Sequence, residues 1–279
     1  MIPLNLGIRA HDLVAKDINE LTQKLNQSQM THIQLAVKKS FPELAPTLSA
    51  ITPGAASFLG DTLRASQIKI SVLGCYVNIS SANPEIRREA LVQFKHHLTL
   101  ARDFGATVVG TETGSVETGY TEKNFTEEAY ITARNSVIEM VETAEKLGVT
   151  VGIEGGLNHP LHTWQRIERL LQDVQSPNLK IIFDPANLVR PDNFKDQVKF
   201  TTDALDHFGD AIAAVHLKDF VMENNQVKIV PVGTGLMDYT PLLQFMKTQR
   251  PLMFASLEGV KEDQLEQSRS FILQKYQEA

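Results

Sequence analysis

The sequence predicts an α/β fold, a closed (β/α)8 barrel with a small hairpin inserted after the seventh strand. Three observations carry this. Eight short apolar runs alternate with longer amphipathic segments along the chain. Several of the runs are rich in Val and Ile and too short for stable helices, which is how parallel strands buried on both faces read. Eight such units in roughly 250 residues match the usual length of this barrel. No Ser/Gly/Pro-rich linker and no block of like charge divides the 279 residues, so one domain over 1–279 is expected.

The elements follow in order. The first runs are Leu4–Arg9 and His32–Ala36. The stretch Ser40–Ser66 carries Pro42, Pro46 and Pro53, which predicts a loop before a short helix. Lys69–Leu73 is the third strand, and Asn83-Pro84-Glu85 then opens a helix over Pro84–Phe104 with an N-cap, a first-turn proline and a first-turn acid. Strands at Thr107–Gly110, Thr150–Glu154 and Leu179–Asp184 alternate with helices at Thr126–Leu147, Thr163–Val174 and Asn193–Phe208. Ile212–His216 is the seventh strand. Val221–Val230, with Asn224-Asn225 at its middle, reads as the inserted hairpin. Leu252–Leu257 and a helix over Lys261–Gln277 complete the eighth unit. Gly105, Gly148 and Gly209 each follow a helical run, where a left-handed C-cap glycine is expected. The competing fold is a doubly wound open sheet, but no G-x-G-x-x-G follows the first strand to support it.

Composition narrows the function. Hydrophobic residues are 42% and charged residues 22%, which are globular values. No run approaches ~18 apolar residues, so no transmembrane helix is expected. The net charge of −6 is a poor basis for binding nucleic acid. Cys75 is the only cysteine, which excludes an intramolecular disulfide and a cysteine-based zinc cluster and leaves it as a small packing residue. The start Met1-Ile2-Pro3-Leu4-Asn5-Leu6 has no basic region and does not read as a signal peptide, so a cytoplasmic location is expected.

In such a barrel the active site lies at the carboxyl ends of the strands. Four consecutive strands end in a metal-capable side chain: Glu154, Asp184, His216 and Glu258. The first two intervals each equal one βα unit, and the third equals one unit plus the hairpin. All four therefore converge on one mouth. A lone acid at a strand end is most often a helix N-cap or half of an ion pair. Three carboxylates together repel one another, and a single divalent cation resolves that. Mn²⁺, Co²⁺ or Mg²⁺ suits this donor set best, with Zn²⁺ also compatible.

Glu112, Asn187, Lys218 and His11 are the candidates for touching substrate. Each has a plainer reading. Glu112 is equally a loop-capping acid. Lys218 and Asp219 are expected to pair with each other or to be solvated at the rim. Arg9 and His11 end the first strand. His159 and His162 are loop residues of the rim, and His96, His97 and Trp164 are surface or packing residues. Gly233-Thr234-Gly235 is a rigid loop beside the cavity, since the Lys-Ser/Thr of a phosphate-binding loop is missing.

Together, Ile153-Glu154, Phe183-Asp184-Pro185-Ala186-Asn187, Val215-His216-Leu217-Lys218-Asp219, Val232-Gly233-Thr234-Gly235 with Asp238, and Leu257-Glu258-Gly259 resemble the xylose-isomerase-like TIM barrel superfamily of sugar phosphate isomerases and epimerases. The resemblance covers essentially the whole chain. It implies one divalent metal held by Glu154, Asp184, His216 and Glu258, and a sugar or sugar derivative as substrate. Two positions depart from the pattern. Asn187 stands where many relatives carry a histidine, which in the abasic-site endonuclease branch helps hold three zinc ions. Met222 stands where ketose 3-epimerases commonly place a substrate-holding arginine.

The expected activity is isomerisation or epimerisation of a ketose or related α-hydroxy ketone through an enediolate, with Glu154 and Glu258 as the acid/base pair. The rival readings are an inosose-dehydratase-like lyase using the same proton abstraction, an abasic-site endonuclease and a non-catalytic sugar-binding barrel. The residues fix neither substrate nor oligomeric state, and a homo-oligomer is compatible with them.

Overall fold

A computed structural model describes residues 2–279; Met1, which opens the segment read above for a leader, lies outside them. The strands are β1 Leu6–Arg9, β2 His32–Leu35, β3 Lys69–Gly74, β4 Ala106–Glu112, β5 Thr150–Glu154, β6 Leu179–Phe183 and β7 Ile212–Leu217, then the hairpin β8 Asp219–Glu223 and β9 Gln226–Val230, and finally β10 Phe254–Leu257. The helices are α1 Ile18–Gln27, α2 Val37–Ser40, α3 Pro53–Ala65, α4 Pro84–Phe104, α5 Glu127–Leu147, α6 Trp164–Val174, α7 Gln197–Phe208, α8 Thr240–Thr248 and α9 Leu265–Glu278. All strands but β8 and β9 form one closed parallel barrel, with β10 hydrogen-bonded to both β7 and β1. This is a (β/α)8 barrel with a two-stranded insertion. Among the described residues, no helix is long and apolar enough to cross a membrane.

Asn83, Gly105 and Gly148 cap their helices as expected, Gly209 does not, and Thr126 and Thr163, assigned to the helices themselves, are N-caps. Asn83, Thr126 and Thr163 each accept a hydrogen bond from the first turn of the helix they open. Gly105 and Gly148 take φ of +66° and +65°, the left-handed caps expected. Gly209 does not: its φ is −51° and the backbone continues into a short 3₁₀ turn. A glycine is needed there for a different reason. A Cβ would sit 2.7 Å from the Phe245 ring of α8.

Other boundaries shift by a turn. Short 3₁₀ turns at Phe194–Asp196 and Glu262–Gln264 occupy the starts assigned to α7 and α9. The hairpin begins two residues early, at Asp219. Its turn residues Asn224 and Asn225 both have positive φ, as a tight hairpin turn requires.

Side chains alternate along each strand, so every second residue enters the barrel. Val72, Val108, Ile182 and Ala214 form a small interior cluster of their own. At Gly110 and Gly152 a Cβ would lie 2.6 Å from Val72 and Val108 side chains respectively, so glycine lets bulky neighbours fill the interior. Below this layer lies a polar pair. His32 is fully buried with Nδ1 2.9 Å from Ser71 Oγ and Nε2 3.2 Å from the Asn5 carbonyl. The carbonyl can only accept, so Nε2 carries the proton; the Ser71 hydroxyl, which donates to the Ile33 carbonyl at 3.0 Å, lies against Nδ1. Above the layer, the same alternation delivers the polar strand ends to the mouth.

Candidate active site

The strand ends place Glu154, Asp184, His216 and Glu258 together. All four are buried, and one ligand atom from each lies within 4.8 Å of the others. Glu154 is the last residue of β5 and His216 the penultimate residue of β7. Asp184 and Glu258 come one residue after β6 and β10.

His216 is the hub. Its Nδ1 lies 3.1 Å from Glu154 Oε1 and 2.9 Å from Glu258 Oε2. Its Nε2 lies 2.6 Å from the side-chain oxygen of Gln34. Gln34 enters from β2 and donates through its amide to the Tyr76 hydroxyl. With its amide nitrogen so used, Gln34 presents an acceptor to Nε2, which must donate. The ring is thereby oriented with Nδ1 toward the carboxylates.

Asp184 has two duties. Its Oδ1 accepts from the Ala186 amide at 2.9 Å, capping the 3₁₀ turn Pro185–Leu188. Its Oδ2 is buried and makes no hydrogen bond, though Lys218 Nζ lies 2.9 Å away. The same ammonium is 2.6 Å from Glu258 Oε1 and donates to Asn187 Oδ1 at 2.7 Å. Asn187 in turn donates to Glu154 at 2.8 Å. The amide at the position where many relatives carry histidine therefore bridges two elements of the cluster. Arg9 reaches Glu258 Oε1 at 2.7 Å while Asp12 grips its other face at 2.8 and 3.0 Å.

The expected pairing of Lys218 with Asp219, or their solvation at the rim, is not found. Lys218 points into the cluster. Asp219 points the other way, beneath the loop after β9. Its carboxylate accepts from the backbone amides of Phe220, Gly233, Gly235 and Met237 at 2.8–2.9 Å. At Gly235 a Cβ would stand 2.3 Å from Asp219 Oδ1, so this loop is wrapped around an acid rather than a phosphate. Tyr239 then hydrogen-bonds the Lys218 carbonyl at 2.9 Å and fixes the backbone that aims the lysine.

These contacts push the two glutamates in opposite directions. Burial raises the Glu154 pKa, only partly countered by His216, and it reaches about 7. Burial acts on Glu258 too, but Lys218, His216 and Arg9 outweigh it and hold its carboxyl well below the ordinary value. His216 would be lowered by burial, yet Glu154 and Glu258 bring it up to about 10.

The cluster fits a divalent cation. The donor set is three carboxylates and one imidazole, suited to hard and borderline ions. Asp184 Oδ2 is a buried acceptor with no hydrogen bond among the described residues, faced only by the Lys218 ammonium. The imidazole engages a polar partner through one nitrogen and offers the other to the centre, the arrangement typical of a metal-bound histidine.

Of the substrate candidates, Asn187 and Lys218 sit inside the cluster. Glu112 ends β4, half-buried, with His159 Nε2 3.9 Å from its carboxylate. His11 packs edge-on against Tyr76 at 6.3 Å, and its buried Nδ1 has no hydrogen-bond partner among the described residues. Cys75 and His97 are fully buried packing residues. Met222 lies in β8 and packs on the core. Gln34 and Tyr76 were not singled out from sequence. A glutamine in an otherwise apolar run, on the inward parity of β2, was the available signal.

The family model for the xylose isomerase-like TIM barrel matches residues 23–275. The chain belongs to this family. No curated protein matches it in sequence. Among solved structures, a D-tagatose 3-epimerase-like protein is 18% identical with a TM-score of 0.76, covering 99% of this chain and 97% of its own. An IolI protein with a bound zinc atom is 14% identical with a TM-score of 0.76, and 99% of each chain is covered. The 3-keto-D-glucoside 4-epimerase YcjR from E. coli is 14% identical with a TM-score of 0.73, covering 98% of this chain and 99% of its own. At these identities the likeness shows a shared fold.

Proposed function

We propose that this family member is a divalent-metal-dependent isomerase or epimerase acting on a ketose or related α-hydroxy ketone, with Glu154 and Glu258 as its acid/base pair. One observation carries the reading. Two buried glutamates from different strands meet the same histidine nitrogen at 3.1 and 2.9 Å, and their surroundings drive their proton affinities apart. Pairs of titratable groups separated in this way are how one site supplies both an acid and a base. The epimerase and IolI neighbours are consistent with it.

Glu154, Asp184, His216 and Glu258 would hold the cation. When bound it would polarise the substrate carbonyl and share the charge that develops as the neighbouring carbon loses its proton. The chain's own groups do the rest. Glu258, kept ionised by Lys218 and Arg9, takes the proton from carbon. Glu154 delivers a proton to carbon in the return step. Lys218 and Asn187, which hydrogen-bond within the cluster, would turn to the substrate oxygens nearest the reacting carbons. Burial excludes water, which strengthens each of these interactions. Return to the opposite face is epimerisation. Transfer by one glutamate between adjacent carbons is aldose–ketose isomerisation.

The test is exchange in deuterated water, using a panel of ketoses with the Mn²⁺-loaded protein. Deuterium is expected at a carbon next to the carbonyl, in a product of unchanged mass apart from the label. Glu154→Gln and Glu258→Gln are each expected to reduce turnover by roughly 10²–10⁴-fold while the fold is retained. Full activity in either variant overturns the paired-glutamate mechanism. A product lighter by one water replaces isomerisation with the lyase reading.

A further inference from the structure

The cleft beside this cluster carries information about the substrate, resting on the proposed sugar chemistry. Tyr76, Val77 and Asn78, just after β3, wall two adjoining hollows. One, of about 230 Å³, reaches Thr111 and Glu112 at the end of β4. The other, of about 510 Å³, runs outward to Lys38 and Lys39 on α2. Three wall residues are common to both, so the two hollows meet along one cleft wall. Tyr76 ties it to the reacting centre, because its hydroxyl accepts from Gln34 and Gln34 in turn holds His216.

The two ends of the cleft differ in charge. At the inner end the Glu112 carboxylate makes no hydrogen bond among the described residues, which leaves it free to accept from sugar hydroxyls. At the outer end the Lys39 ammonium lies over the Tyr76 ring, 3.8 Å from its centroid. Neither it nor the Lys38 ammonium has an ion-pair or hydrogen-bond partner among the described residues. The acid on the same wall, Glu89, accepts from Gln93 at 2.9 Å. A neutral polyol asks for paired donors and acceptors but for no net charge. Two ammonium groups without such a partner on one wall, one of them stacked on the Tyr76 ring, complement an anion.

We propose that Lys39, supported by Lys38, binds an anionic group at the end of the substrate remote from the reacting carbons. The substrate is then an acidic ketose, carrying a carboxylate or a phosphate.

Calorimetric titration of the Mn²⁺-loaded protein with D-fructose, D-fructuronate and D-fructose 6-phosphate tests this. At least one acidic ketose is expected to bind about tenfold or more tighter than D-fructose, the gain of one ~1.4 kcal/mol contact. Which one wins tells carboxylate from phosphate. Lys39→Gln is expected to bring that ligand down to the affinity of D-fructose, and Lys39→Arg to keep most of the preference. Lys39 is exposed, and thermal melting of each variant checks the fold. Equal affinity for all three sugars, binding of none, or a preference that survives Lys39→Gln overturns the proposal. Deuterium exchange on the same samples separates it from the reading above. Lys39-dependent binding without exchange sinks only the isomerase chemistry. Exchange without a charge preference sinks only the acidic substrate.

Discussion

At the scale of single residues, the geometry turns on how His216 is held. An imidazole can face either nitrogen toward a ligand, and the partner on the far side decides which. Here that partner is Gln34, 2.6 Å from Nε2. Gln34→Leu is expected to weaken Mn²⁺ affinity about 10–100-fold with the fold intact, while Gln34→Glu, which still accepts from the ring, restores most of it. Isothermal titration reads both, and unchanged affinity in Gln34→Leu would mean that the glutamine does not orient the ring. The four clustered residues were legible in sequence because each ends a strand in register with the next. Gln34 was not, since nothing in its neighbours along the chain reveals that β2 and β7 face each other across the barrel.

At the scale of elements, the loop after β9 is the clearest case of structure built around one side chain. Asp219 is fully buried and accepts from four backbone amides, that of Phe220 in β8 and three that the loop does not satisfy for itself. Asp219→Asn removes the charge and one acceptor atom, and is expected to cost about 2–3 kcal/mol, measurable by urea unfolding. Because Tyr239 links the end of this loop to the Lys218 backbone, the variant should also lower the pull of Lys218 on Glu258. A stability unchanged within error would contradict the loop's dependence on the acid. Local signals read the elements themselves well. Asn83-Pro84-Glu85 and the glycines 105 and 148 mark helix ends through chemistry confined to a few residues. Gly209 was misread because its reason is tertiary, the Phe245 ring occupying the space a Cβ would need. Lys218 and Asp219 were misread for a similar reason. Lys218 lies between β7 and β8, and what separates it from Asp219 is the acid cluster on one side and the loop amides on the other.

At the scale of the whole molecule, the barrel buries histidines that it keeps neutral. Burial lowers His32 and His97 each to about 4, below the ordinary 6.5. The unfolded chain therefore takes up protons at these positions that the folded chain refuses. Stability is fully present above about pH 6.5 and is lost as pH falls from there toward 4. By linkage each histidine accounts for at most ~3 kcal/mol of that loss. Melting temperature followed from pH 7 to pH 4 should fall, and His97→Phe should flatten part of the fall. A melting temperature constant across this range would contradict the neutral assignment.

The barrel was legible as a whole because eight alternations and their punctuation repeat with one period. The proposed substrate cleft was not, because its walls come from α2, β3, β4 and α4, and only the closed fold brings Lys39 beside Tyr76. The central claim is that four successive strand ends form one cation site whose glutamates also move protons. Its most direct test is elemental analysis of the gently purified protein beside Glu258→Gln. The account predicts about one divalent ion per chain, held more weakly by the variant. No divalent ion in the native protein, even after reconstitution with Mn²⁺, Co²⁺, Mg²⁺ or Zn²⁺, would contradict it.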